Sequence, residues 1–130
     1  MINYKVSDHF DYDDFACACC ERLKLTDRFY KHIELLEKVR AEYGKPMLIN
    51  SGYRCSVHNQ AVGGAVKSQH LIFATDIRPE MGRDDDEYLQ NVLRIEDISM
   101  NYFKGIGLYN TFVHVDLRTG KPAFWDKRTI

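Results

Sequence analysis

The feature that most constrains the fold is the periodicity between Thr26 and Pro46. Phe29, Ile33, Leu36, Val39 and Tyr43 recur at steps of three and four, which places them on one face of a helix. Thr26 has the side chain of an N-cap, and Asp27 puts negative charge at the positive end of the helix. Gly44 and Pro46 end it. An amphipathic helix of this kind has to bury its apolar stripe against a second layer. His32 falls one step off the stripe and is expected at the surface.

The rest of the chain supplies that layer. Met47–Asn50 follows a proline and reads as a strand that delivers Ser51-Gly52-Tyr53-Arg54 into a turn. Residues 56–69 are polar and glycine-containing, a loop with at most a short helical turn. Leu71–Ile77 reads as a second strand, ended by Pro79. Asp84–Glu87 is an acidic helix start before Tyr88, Leu89, Val92 and Leu93. Gly105–Tyr109 and Phe112–Leu117 form a hairpin around Asn110-Thr111. Phe10 and Phe15 are expected to lie over the core, with Trp125 packing back as a lid or core residue. Strands with segregated helices and no regular βαβ alternation predict an α+β fold, a small antiparallel sheet flanked by helices, in one domain over residues 1–130.

Eighteen basic against nineteen acidic residues leave a net charge of −1, without the basic footprint of a nucleic-acid partner or a polybasic membrane patch. No apolar run approaches the roughly 18 residues of a membrane span, so no membrane insertion is expected. The opening MINYKVSDHFDYDD lacks the basic and apolar regions of a signal peptide. Neither H-E-x-x-H, G-x-S-x-G nor a P-loop occurs.

The chemistry concentrates in Ser51–Ile77 and in the later strand. His70, Asp76 and His114 offer two imidazoles and one carboxylate, a set that suits a catalytic zinc with one position open to water. The competing reading of a histidine on an apolar strand is a satisfied core residue. His114 and Asp116, two apart on one strand, face the same side. Asp116 is therefore a candidate catalytic base, or a partner that orients an imidazole. Arg54 can clamp a substrate carboxylate through its planar fork, or pair with the acidic N-terminal segment. Ser68 can donate to the same carboxylate, or cap a turn. Cys17, Cys19, Cys20 and Cys55 leave three states open: buried thiols, one disulfide, or a structural zinc with ligands such as Cys17, Cys20, Cys55 and His58. A Cys55 nucleophile beside His58 lacks an identifiable oxyanion donor.

Several motifs in order carry a family resemblance: Phe10-x4-Phe15-x-Cys17, Gly44-Lys45-Pro46, Ser51-Gly52-Tyr53-Arg54, His58-Asn59, Val62-Gly63-Gly64, Ser68-x-His70, Asp76-Ile77, Gly105-Ile106-Gly107-x-Tyr109 and His114-x-Asp116-x-Arg118. The chain resembles the M15 metallopeptidases, in particular the compact phage and prophage group related to zinc D-alanyl-D-alanine carboxypeptidases. The resemblance implies a hedgehog/DD-peptidase type of fold, a zinc ion held by His70, Asp76 and His114, substrate contacts from Arg54 and Ser68, and peptidoglycan stem peptides as substrate. It implies a carboxypeptidase or an endolysin acting on the bacterial cell wall. The alternative is an inactive wall-binding or virion structural module. Two positions depart from the family pattern. His70 and Asp76 are six apart, where relatives usually have seven with a glycine between, and Thr111 stands where several relatives carry an acidic base. Six residues fully extended would span about 20 Å, so one ion held by both requires His70 in a loop and only Phe73–Ile77 as strand.

Overall fold

The computed structural model describes residues 4–65, 68–81 and 84–129. A short helix α1 (Tyr12–Phe15) precedes the long helix α2 (Asp27–Tyr43), strand β1 (Met47–Ser51) and helix α3 (Ser56–Ala61). A 3-10 turn (Gln69–Leu71) leads into β2 (Ala74–Pro79) and helix α4 (Asp85–Ser99). Strands β3 (Gly105–Leu108), β4 (Val113–Asp116) and β5 (Ala123–Asp126) complete one sheet of order β1-β2-β4-β3-β5. Among the described residues, no helix is long and apolar enough to cross a membrane.

Local chemistry sets the helix ends. The Thr26 hydroxyl accepts from the Phe29 backbone N–H at 3.2 Å, and the Asp84 carboxylate from that of Glu87 at 2.8 Å. Gly44 closes α2 with φ 76, in the left-handed region that glycine enters without penalty.

The fold is α+β, as the pattern predicts, and β1 to β4 pair antiparallel. The fifth strand differs from expectation: β5 runs parallel to β3, so the sheet is mixed. A chain leaving β4 at one end of the sheet reaches the far edge of β3 in the parallel sense, and Gly120, at φ 83, lies in the connection. β2 starts later than the Leu71 of the apolar run and close to the Phe73 that a shared ion requires, because residues 69–71 wind into the 3-10 turn instead of extending.

The two faces of the sheet are unlike. Ile77, Ile106, Leu108, Val113 and Val115 join the buried core with α2 and α4, whose contributions include Phe29, Leu36, Val39, Val92 and Ile95. Phe15, Phe29 and Phe73 meet edge to face with centroids 5.0–5.9 Å apart, which anchors the N-terminal segment to this core. The alternate residues, Asp76 on β2 with His114 and Asp116 on β4, point to the opposite face.

His32 corrects the sequence reading. It is fully buried, because the face of α2 that meets the sheet is broader than the stripe from Phe29 to Tyr43. Its Nε2 lies 2.9 Å from the Thr75 hydroxyl, and its ring packs on Phe73 and Phe103 at 4.6 and 4.8 Å. Burial pushes the imidazole down to about 3, against the opposing pull of the Asp116 charge.

Candidate metal centre

Strand register builds the site. Asp76 pairs with His114, His114 with Gly107, and Gly107 with Trp125, so these four stand in one row across β2, β4, β3 and β5. The glycines of β3 give the row its room: a Cβ on Gly107 would collide with the Trp125 indole, and one on Gly105 with the Asp116 carboxylate. His70 arrives from outside the sheet, on the 3-10 turn. The turn ends at Ile72, so the chain folds back and the six-residue interval brings His70 and Asp76 together. One ligand atom from each of His70, Asp76 and His114 lies within 4.8 Å of the other two. The measured separations are 3.2 Å for His70 Nε2 to Asp76 Oδ1 and 3.1 Å for His114 Nδ1 to the same oxygen.

The outer nitrogens decide what the inner ones present. His70 Nδ1 lies 2.7 Å from the Gly52 carbonyl, which can only accept, so Nδ1 carries the proton there. His114 Nε2 lies 2.7 Å from Asp116 Oδ2. Burial would raise the Asp116 carboxyl, but the hydrogen bonds from His114 and Arg118 hold it far below the usual carboxylate range. Ionised Asp116 therefore accepts from His114 Nε2–H. In their neutral forms both imidazoles then turn lone pairs toward Asp76, a repulsive arrangement unless a positive charge sits between them. A ring that instead carries its second proton donates to Asp76; in that state burial would raise the carboxyl, yet His114 and His70 bring it down to about 2. His114 is raised in turn, its burial outweighed by Asp116 and Asp76. Donors of a tetrahedral zinc, bound at about 2.0–2.1 Å, stand about 3.3 Å apart, close to the two separations measured. The residues present fit a zinc ion.

These donors lie at a cavity of about 530 Å³ that is also lined by Arg54, Ser68, Tyr109, Arg118 and Trp125. Arg54 Nη2 donates to Ser68 Oγ at 3.2 Å, so the two predicted substrate contacts share one wall. Ser68 also caps its turn, accepting from the His70 backbone N–H at 3.2 Å. Trp125 forms another part of the lining, its indole N–H donating to Tyr109 Oη at 3.0 Å and its ring 5.1 Å from that of His114. Sequence reasoning did not foresee Tyr109 and Arg118 in the wall. The tyrosine was visible only as part of a glycine-rich motif, and Arg118 only as the last residue of the His114-x-Asp116-x-Arg118 motif.

Asp116 as catalytic base does not agree with its placement. It is fully buried and does not line the cavity. Arg118 donates to both of its oxygens through Nε and Nη2 at 2.9 and 2.7 Å. The geometry matches the other role, holding the His114 ring in one tautomer and orientation. Thr111 is exposed and lines a different depression, beside Tyr88 and Leu89. A second group of donors contains Cys17, Cys19, Cys20 and Cys55; Cys19 occupies the place proposed for His58.

The sequence pattern of the Peptidase M15 family matches residues 8–116. No curated protein sequence matches the chain. Since the match covers most of the 130 residues and contains all three converging donors, the chain belongs to the Peptidase M15 family, and its function is of the metallopeptidase type.

Proposed function

We propose that the protein is a zinc peptidase that cleaves the stem or cross-linking peptides of bacterial peptidoglycan at the cell wall. One observation carries this reading: two oriented imidazoles and a carboxylate turn lone pairs to one point in a cavity that also holds the Arg54–Ser68 pair. His70, Asp76 and His114 would hold the ion, which supplies Lewis acidity to a peptide carbonyl and to water. The Gly52 carbonyl and Asp116 keep the two rings from rotating. Arg54 binds a substrate carboxylate, with Ser68 fixing the guanidinium and donating to the same group. The Tyr109–Trp125 pair walls one side of the bound peptide and limits the entry of water.

A second reading has its own observation. Among the described residues, Asp76 is the sole carboxylate lining the cavity, so none is left over to act as base. That favours a wall-binding or virion structural module without turnover. Mass spectrometry of purified peptidoglycan incubated with zinc-loaded protein separates the two. The peptidase reading expects peptides with new free termini in catalytic excess over protein. Stoichiometric binding to the murein without new termini would overturn it.

A further inference from the structure

Outside the cavity, the turn that follows α1 and the loop that follows β1 gather the four cysteines of the chain. All are free thiols. The Cys19 and Cys55 sulfurs are 3.2 Å apart, and Cys17 is 3.6 Å from each. Cys20 joins them, with all four sulfurs inside 4.8 Å of one another. Thiolates on a tetrahedral zinc, bound at about 2.3 Å, stand about 3.8 Å apart, and the three measured separations lie near that edge length. A disulfide would employ only two of the four.

The backbone supports the same conclusion. The Cys55 N–H points at Cys17 Sγ and the His58 N–H at Cys55 Sγ, each at 3.4 Å. A neutral thiol is a weak acceptor, whereas a thiolate draws such donors. The turn itself is tightly closed: the Cys17 N–H donates to Arg22 O and the Glu21 N–H to Cys17 O, both at 2.7 Å. Glu21 sits at φ 60, a region that non-glycine residues seldom enter. That residue directly follows Cys20 in the turn that carries Cys17, Cys19 and Cys20.

We propose that Cys17, Cys19, Cys20 and Cys55 bind a second, structural zinc ion as four thiolates, each thiol releasing its proton to solvent on binding. Four protein ligands complete the coordination sphere and leave no position for water, unlike the three-donor centre. The ion would pin the N-terminal segment to the loop that serves the cavity. At that junction the Tyr53 N–H donates to Phe15 O at 2.8 Å, and a Cβ on Gly52 would strike the Phe15 backbone at 2.6 Å. Gly52 supplies the carbonyl that orients His70, and Arg54 follows two residues later.

Cobalt(II) added to the reduced, metal-free whole protein tests this without any variant having to fold. The proposal expects two equivalents bound and an intense thiolate-to-cobalt charge-transfer absorption from one of them. Asp76→Asn should keep that absorption while losing one equivalent, whereas Cys19→Ser with Cys20→Ser should lose the absorption and keep the other equivalent. A wild-type protein with no sulfur charge-transfer absorption at saturating cobalt would overturn the proposal. So would an absorption that survives the double serine variant. Because the two centres are read separately, failure here leaves the peptidase reading standing, and the converse holds.

Discussion

At the residue scale, the arrangement rests on which atom donates and which accepts. Arg54 and Asp76 illustrate two different dependencies. Arg54→Ala removes a charge-assisted contact worth about 1.5–3 kcal/mol but touches none of the three converging donors. We expect KM for a free-carboxylate peptide to rise tenfold or more, with zinc content unchanged; loss of zinc would make the arginine structural. Asp76→Asn removes the one anionic donor, and zinc content measured after dialysis should fall by one equivalent together with activity. His32 makes a prediction of another kind. Its pKa drops from 6.5 to about 3 on folding, so the native state binds fewer protons than the unfolded chain. The stability tied to its neutrality is complete above pH 6.5 and is lost as pH falls below it. Between pH 7.5 and 5 the loss should be about 2 kcal/mol. Urea denaturation of the wild type and of His32→Leu should show that extra loss only in the wild type. Equal pH dependence in both would mean that His32 is charged or hydrated in the native state.

At the element scale, β3 and β5 give the site its wall. Gly107 lies under Trp125, and Gly107→Ala must push the indole outward or bend the strand. The cost of such overpacking is typically about 1–3 kcal/mol. Trp125 is the sole tryptophan, so the shift should appear as a red-shifted emission along with a lower Tm. An unchanged emission maximum would place the indole elsewhere. The turn before β2 is a separate case. Because His70 is presented by the 3-10 turn and Asp76 by the strand, the interval between them is set by a loop rather than by strand parity. A glycine inserted after Ile72 should therefore retain zinc, though with lower affinity; complete loss would show that the register of β2 depends on the six-residue step.

At the scale of the whole molecule, the sequence made some layers plain and left others hidden. Helix α2, the β3–β4 hairpin and the first strand were readable because caps, glycines and apolar periods agreed with one another. His70, Asp76 and His114 could be picked out by residue type, but their meeting point could not, since it depends on the fold-back at residues 69–72 and on the register of β2 with β4. The parallel placement of β5 was not legible, because a four-residue strand after a glycine turn carries no sign of its partner. His32 was misplaced because polarity suggested solvent, whereas the Thr75 hydroxyl and the Phe73 and Phe103 rings across the interface receive it in the core. The proposed function requires His70 Nε2, Asp76 Oδ1 and His114 Nδ1 to hold one zinc ion in this fold. Anomalous diffraction at the zinc edge, from crystals grown with zinc, tests it most directly. A peak is expected about 2.0–2.2 Å from all three atoms; zinc-bearing crystals with no peak there, and with His70 and Asp76 pointing apart, would rule the site out.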